Sequence, residues 1–140
     1  MNLALIDINW LAVIVATIAY SAFSGIWHRQ FAFGKKWENA MGFKRPDNWK
    51  ETTIYFVVPS ISCLTTSIVI AILINLLNVN SFMDALTLGL LTGIGFATSV
   101  TFTNAVIPTM KKPLVFGVIT GTAHALGITL VTLIIFAISK

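Results

Sequence analysis

Four long apolar stretches occupy most of this 140-residue chain and restrict what it can fold into. Each is close to the ~20 residues that a helix needs to cross ~30 Å of hydrocarbon. Only 10% of the residues are charged, whereas a water-soluble domain carries about 25%, so the chain cannot cover these stretches with polar surface. The sequence therefore predicts four membrane spans, over residues 8–27, 54–77, 82–107 and 114–138.

The fold class follows from the absence of water in the bilayer core. A backbone in hydrocarbon must satisfy its own hydrogen bonds, and apolar segments of this length do so as helices. We therefore predict one all-α membrane domain over residues 1–140, a bundle of four transmembrane helices with a short interfacial helix between the first two. We expect no cleaved signal peptide, because the first span ends in Trp27, His28 and Arg29 instead of a small-residue cleavage site.

Basic residues are concentrated in two loops. Eight of the nine Lys and Arg residues lie in the segment 28–51 or at Lys111 and Lys112, after the third span. Cytoplasmic loops of membrane proteins carry such an excess. The sequence therefore predicts that both loops are cytoplasmic and that both chain termini lie outside. The net charge of +4 is then a topology signal, and it does not indicate nucleic-acid binding.

The segment 28–51 combines aromatic residues with its charges. Phe33, Trp37, Ala40 and Met41 recur at helical spacing, and glycines 34 and 42 bound this run. Such a pattern predicts a short amphipathic helix at the level of the lipid headgroups. One interpretation is an aromatic belt with snorkelling Lys and Arg side chains. The other is a docking surface for a partner or the rim of a site.

Small residues recur every four positions in the third and fourth spans. Such ridges allow two helices to approach closely. The simplest prediction is that spans three and four pack as a hairpin, although one ridge could instead face a neighbouring subunit. The residues predicted to form the helix-packing ridges are Gly89, Gly93 and Ala97 in span three, and Gly117, Gly121 and Ala125 in span four.

His124 lies near the middle of the fourth span. Ionisable side chains at this depth usually face a bundle interior or a wet cavity, and a neutral imidazole needs both a donor and an acceptor. By depth, the candidate partners in an intramembrane polar site are Thr98, Thr101 and Asn104 of the third span. His124 either holds the hairpin together through a hydrogen bond or takes part in proton transfer or the passage of a polar solute.

Metal binding and catalysis have less support. The only other histidine is His28, at the end of the first span, so a metal site within one chain is not expected. No acidic residue lies within a span near His124, and no nucleophile elbow or phosphate-binding loop occurs. We therefore expect no cofactor, no metal and no catalytic residue, and we lean against an enzyme.

One run of residues carries a family resemblance. It extends from Ser24 to Trp37 and continues at Met41-Gly42-Phe43, and it resembles the bacterial family called domain of unknown function 1761. These are small membrane proteins, typically of four spans, whose first helix ends in a Gly-x-Trp-Tyr-type motif followed by Phe-Gly-Lys-x-Trp and a glycine. The matching interfacial motif consists of Gly25, Trp27, Phe33, Gly34, Lys35, Trp37 and Gly42.

The chain departs from that pattern at His28, where a tyrosine is expected, and at Gln30, near where a proline is common. Any role that depends on the tyrosine hydroxyl does not transfer to this chain. The resemblance implies a multi-pass protein of the bacterial inner membrane. It implies no catalytic residues.

Three functions remain open from the sequence. The first is a structural or accessory protein that contacts membrane lipid and either self-associates as a homo-oligomer or binds a larger membrane protein. The alternative is a small oligomeric transporter or channel for a small polar solute or ion, with a polar path near His124. An enzyme or cofactor protein is the third. A dry, hydrogen-bonded His124 favours the first function, and a wet cavity reaching it favours the second.

Overall fold

A computed structural model describes residues 8–139, so Lys140, the ninth of the Lys and Arg residues counted above, lies outside the described residues. Within residues 8–139 the chain forms helices and no strand, which confirms the all-α fold class. The helices are α1 (Trp10–Trp27), α2 (Gly34–Met41), α3 (Ile54–Leu76), α4 (Phe82–Thr92), a π-helix (Gly93–Thr98), α5 (Ser99–Ala105) and α6 (Pro113–Ser139).

Four helical segments are long and apolar enough to cross a membrane, as the sequence predicted. They are α1, α3, the continuous segment Phe82–Ala105 that contains α4, the π-helix and α5, and finally α6, with 18, 23, 24 and 27 residues. The chain is thus a multi-pass membrane protein. We call the end of the bundle that carries residues 28–51, Lys111 and Lys112 the basic end.

Two of the helices, α1 and α4, begin where a side chain satisfies one of their first backbone donors. The Asn9 side chain accepts a hydrogen bond from the Ala12 N–H at 3.1 Å, and the Ser81 hydroxyl accepts one from the Asp84 N–H at 3.1 Å. Such caps compensate the unpaired N–H groups of a first helical turn. Both caps lie at the end of the bundle opposite the basic end, and they fix where α1 and α4 start.

The last helix forms the centre of the bundle. α6 packs against α1, α2, α3, α4, the π-helix and α5. Half of its apolar window is buried, against 17–28% for the other three spans. Val131, Thr132 and Ile135 of α6 are among the largest fully buried side chains. Every other span is therefore positioned by its contact with α6.

α3 is packed along only one of its halves. Its buried residues form a helical stripe that lies entirely towards the C-terminal end: Cys63, Ser67, Ile70, Ala71 and Ile74. Continuing that stripe backwards at helical spacing leads to Ser60 and Phe56, which are exposed, as is every residue of 54–62. We call residues 54–62 the open half of α3. The open half of α3 therefore has no packing partner among the described residues.

Candidate functional site

A tyrosine–histidine pair joins the first and last spans. The Tyr20 hydroxyl lies 2.9 Å from His124 Nδ1, and the Tyr20 side chain is almost completely buried. Gly127, one turn beyond His124 on α6, makes room for the tyrosine, because a Cβ at that position would overlap the Tyr20 ring. The close approach of α1 and α6 at this glycine therefore positions the pair.

The hydrogen-bonding needs of Tyr20 and His124 determine where the hydroxyl proton and the ring proton lie. A buried tyrosine O–H needs an acceptor, and among residues 8–139 the only one bonded to Tyr20 is His124 Nδ1. Tyr20 therefore donates to Nδ1, which places the ring proton of the neutral histidine on Nε2. His124 itself is half-buried, and within residues 8–139 its hydrogen bond to Tyr20 joins α1 to α6.

His124 lies on the side of α6 that faces the rest of the bundle. The exposed stripe of α6 includes Val118, Thr122 and Leu126. Successive residues of a helix are rotated by about 100°, so His124 projects from the side opposite Thr122. On that side α1 supplies its hydrogen-bond partner Tyr20.

The structure pairs His124 with Tyr20, and the hydroxyls of Thr98 and Thr101, two of its predicted partners, bond elsewhere. The Thr98 hydroxyl lies 3.0 Å from the Gly93 carbonyl oxygen and 2.9 Å from that of Gly121. Thr101 donates to the Ala97 carbonyl, and Asn104 is exposed. Hydroxyls in membrane helices commonly bond to backbone carbonyls in this way, so the donors of Thr98 and Thr101 are used within the helices.

Tyr20 was the partner that the sequence reasoning missed. Its position carries a recognisable signal, because Val13, Ala16 and Tyr20 follow one another at spacings of three and four residues and form one face of α1. A tyrosine in the apolar face of a span must bring its hydroxyl to a partner. On the packed neighbour α6, His124 lies at the matching depth and is the partner that Tyr20 reaches.

The small residues of spans three and four lie at their mutual interface. A Cβ on Gly89 would be 2.7 Å from Thr129 Cα, and one on Gly93 would be 2.9 Å from the Cα and carbonyl oxygen of Ala125. On α6, a Cβ on Gly117 would be 2.7 Å from the Phe102 ring. These distances are shorter than van der Waals contact, so the helix backbones approach where only glycine fits.

Helix packing is also close around the π-helix. A Cβ on Gly121 would be 2.8 Å from the Thr98 methyl group, and the Thr98 hydroxyl bridges carbonyls on both helices. Ala97 packs against the apolar core, and Ala125 is the residue that Gly93 touches. A π-turn carries one extra residue per turn, and here it brings Thr98 to the α6 backbone.

The segment after α1 folds back onto α6 instead of lying free at the membrane surface. The Trp27 indole donates to the Ile119 carbonyl, and the Trp37 indole donates to the Thr120 hydroxyl, each at 3.1 Å. At the C-terminal end of α2, the Lys112 N–H donates to the Ala40 carbonyl at 2.8 Å. This packing places α2 over the basic end of α6, on the same side as His124.

The glycines of the interfacial motif have separate structural roles. A Cβ on Gly34 would overlap the backbone of His28 and Arg29, so the turn between α1 and α2 requires glycine. Gly42 has φ +81°, a left-handed conformation that ends α2. No atom lies within 4 Å of the position that a Cβ on Gly25 would take, which leaves the place of Gly25 in the motif without a packing reason.

The aromatic members of the motif stack, and its lysine does not participate. The Trp27 and Phe33 rings stack at 4.3 Å between centroids, and Trp37 stacks on Phe116 of α6 at 6.2 Å. Lys35 is exposed. The motif thus encodes a turn and an aromatic contact with α6.

His28 is the second histidine of the chain and lies next to this aromatic contact. Its Nδ1 is 2.9 Å from the Ser24 carbonyl oxygen, and its ring meets the Trp37 ring edge-on at 5.1 Å. Burial lowers the pKa of His28 below its ordinary value of 6.5, and the hydrogen bond to Ser24 opposes this effect only in part. The folded protein therefore favours neutral His28.

We expect the protein to lose stability as the pH falls below about 6.5. In that range unfolded His28 binds a proton, whereas folded His28 with its lowered pKa does not. Above that range both states are neutral and His28 contributes no pH dependence. The midpoint of thermal unfolding in detergent should fall between about pH 7 and pH 5, and His28→Gln should reduce the slope. Parallel curves for the two proteins would contradict this assignment.

The described residues offer no metal site. No group of three or more His, Cys, Asp or Glu side chains that could hold a metal ion occurs within residues 8–139. The ionic groups of the basic end instead pair with one another: Glu38, which is buried, binds Arg45, and Glu51 lies 3.4 Å from Arg29. These contacts hold the segment 28–51 in shape.

Comparison with known proteins gives a family and no function. A family model described as a protein of unknown function, DUF1761, matches residues 11–136, which include all four spans almost completely. No curated protein and no solved structure matches the chain.

Proposed function

The chain belongs to the DUF1761 family of proteins of unknown function, and we propose that it is a structural or accessory membrane protein that associates with a second copy of itself. The open half of α3 carries this proposal. All nine of its residues are exposed, including Phe56 and Ser60, which continue the buried stripe of the same helix. A contact in the assembled protein would give these positions a packing partner.

A second copy of the chain is the favoured partner of the open half of α3 for two reasons. Most oligomers are built from identical chains around a two-fold axis, which lets one surface meet itself. Two copies inserted in the same orientation can bring their α3 helices together about an axis perpendicular to the membrane. The hydroxyls of Ser62 and Thr65 bond to their own helix carbonyls, so two such helices can approach without leaving a buried donor unpaired.

We further propose that the protein resides in the inner (cell) membrane and that its basic end faces the cytoplasm. Eight of the nine Lys and Arg residues lie at that end in the segment 28–51 or at Lys111 and Lys112, and cytoplasmic loops carry such an excess. The two chain termini would then lie outside. The transport alternative has no comparable support, because Thr98 and Thr101 donate to backbone carbonyls.

Cysteine cross-linking in native membranes tests self-association. In a Cys63→Ala background, single cysteines at the four consecutive positions Tyr55, Phe56, Val57 and Val58 sample every side of the open half of α3, because successive residues are rotated by about 100°. We expect at least one of these variants to form a disulfide-linked dimer on oxidation. Val118→Cys is the matched control, since Val58 and Val118 are 53% and 56% exposed and each lies within two turns of the start of its helix.

Three results would contradict the proposal. Monomer at all four positions would show that no second copy lies against α3. Equal dimer from the Val118 control would indicate random collision. A cross-link to a different membrane protein would replace the second copy by a larger partner.

A further inference from the structure

The basic end carries more positive charge than its own acidic residues balance. It holds eight of the nine Lys and Arg residues against three acidic ones, Glu38, Asp47 and Glu51. Arg45 pairs with Glu38 and Glu51, and Arg29 pairs with Glu51. All six lysines of this end are exposed, and none of them forms an ion pair within residues 8–139. The lysines are therefore available to an anion that comes from outside the chain.

The loop before α6 brings two of these lysines to the end of α2. The Lys112 N–H donates to the Ala40 carbonyl at 2.8 Å. A Cβ on Gly42 would be 3.5 Å from the Cβ and 3.8 Å from the Cδ of Lys111. The side chain of Lys111 therefore lies beside the residue that ends α2.

α2 and the chain that follows it add two more lysines at the same place. Lys36 precedes Ala40 by about one helical turn, which is a rise of about 6 Å. Lys44 follows Gly42 by two residues, so their Cα atoms are at most about 8 Å apart. The stem of a lysine is flexible, so these side chains can converge on one anion. We call the four residues the lysine cluster: Lys36, Lys44, Lys111 and Lys112.

The buried carboxylate of α2 does not neutralise the lysine cluster. Glu38 follows Lys36 by two residues, and a rotation of about 200° places the two side chains on different sides of the helix. Glu38 is buried and paired with Arg45. Asp47, in the turn after Lys44, is the one acidic residue of this end outside the ion pairs with arginine. The four lysines thus keep an excess of positive charge.

Exposed apolar residues lie next to the lysine cluster on its membrane side. α6 begins directly after Lys112 and is long enough to cross the membrane, which places the cluster at the level of the lipid head groups. Leu114 and Val115, in the first turn of α6, are exposed, as are Val106 and Ile107 after α5. A molecule that covers the whole surface must combine a negative head with apolar chains.

We propose that the lysine cluster binds the head group of an anionic phospholipid whose acyl chains lie on the exposed start of α6. Lysine ammonium groups bind phosphate as point charges, and a bound anion reduces the repulsion among the four lysines. A free phosphate ion would leave the exposed apolar residues uncovered. The site contains no residue of the open half of α3, so it is independent of the self-association proposed above.

Native mass spectrometry of the delipidated protein in detergent measures this binding with one lipid at a time. Dioleoyl phosphatidylglycerol has a net negative charge, whereas dioleoyl phosphatidylcholine has the same chains and phosphate and no net charge. A lysine near an anionic head group contributes about a factor of five to binding. We therefore expect the first phosphatidylglycerol to half-saturate the protein at about tenfold lower concentration than phosphatidylcholine. Equal half-saturation by the two lipids would overturn the proposal.

Charge-matched variants locate the site. The double variant Lys111→Gln and Lys112→Gln should lose the preference for phosphatidylglycerol. Lys35→Gln with Lys50→Gln removes the same charge from exposed lysines outside the cluster and should keep the preference. Lys111→Arg with Lys112→Arg should keep it too, since a guanidinium also binds phosphate. All four positions are exposed, so we expect each variant to unfold at the wild-type temperature.

Three further results would contradict the site. Equal loss of the preference in both glutamine variants would show that binding follows total charge and does not need the lysine cluster. A cluster variant that still prefers phosphatidylglycerol would place the lipid elsewhere. Glycerophosphoglycerol is the same head group without acyl chains. If it displaces the lipid at equal concentration, the ligand is a soluble phosphate ester and the assignment to a phospholipid is wrong.

Discussion

Replacing Gly93 by leucine is expected to destroy the packing of the third span against α6. A Cβ at this position would already lie 2.9 Å from the Cα and carbonyl oxygen of Ala125, and backbone atoms of a central helix cannot move aside. Inserting a larger side chain into a packed interface typically costs about 1–3 kcal/mol, and we expect a loss at or above the upper end of that range here. The measurement is thermal unfolding in detergent, together with the yield of folded protein from membranes.

Gly95→Leu is the control for this prediction. It lies on the same helix, two residues further along and within the same π-helix, and no atom lies within 4 Å of the position that its Cβ would take. The gain in helix propensity from leucine, and any effect of leucine on expression, would affect both variants alike. We expect Gly95→Leu to unfold close to the wild-type temperature. Similar unfolding of the two variants would show that the contact with Ala125 does not hold the spans together.

The second large effect is expected at Gly34, in the turn between α1 and α2. A Cβ there would overlap the backbone of His28 and Arg29, so Gly34→Ala must open the turn. α2 would then lose its fixed position against α6, including the 3.1 Å hydrogen bond from Trp37 to Thr120. We expect a loss of about 2 kcal/mol or more and a red shift of the tryptophan fluorescence as the indoles become wet.

Gly25→Ala is the matched control, because it belongs to the same motif and has no atom within 4 Å of its Cβ position. Alanine is also the better helix former, and Gly25 lies inside α1. The control should therefore unfold at the wild-type temperature or slightly above it. If Gly34→Ala behaves like Gly25→Ala, the turn does not depend on the missing side chain.

The spans could be predicted from the sequence because bilayer thickness fixes how long an apolar helix must be. The predicted second span, 54–77, ends one residue from Ile54–Leu76, and the predicted fourth, 114–138, is one residue inside each end of Pro113–Ser139. The exposure of the open half of α3 could not be predicted. Hydropathy reports that a residue is apolar, and it does not report whether a lipid or a helix lies beside it.

The candidate site was predictable only in part. The depth of His124 follows from its position within the span, whereas its partner depends on which helices meet. The hairpin prediction directed attention to Thr98 on the preceding span, yet the partner is Tyr20, 104 residues away in the chain. The position of α2 could not be predicted for the same reason, because local periodicity does not reveal the contacts of Trp37 with α6.

The distance along the chain between α2 and its partners has a consequence for biosynthesis. Trp27 and Trp37 bond to residues of α6 that follow them by 92 and 83 positions and are therefore translated much later. At about 5–20 residues per second, the ribosome needs several seconds to reach that helix. During this interval the first three spans can enter the bilayer while both indoles still lack their acceptors. The aromatic segment is therefore available to insertion factors until the final span arrives, and a nascent chain that stops before Ile119 keeps it exposed.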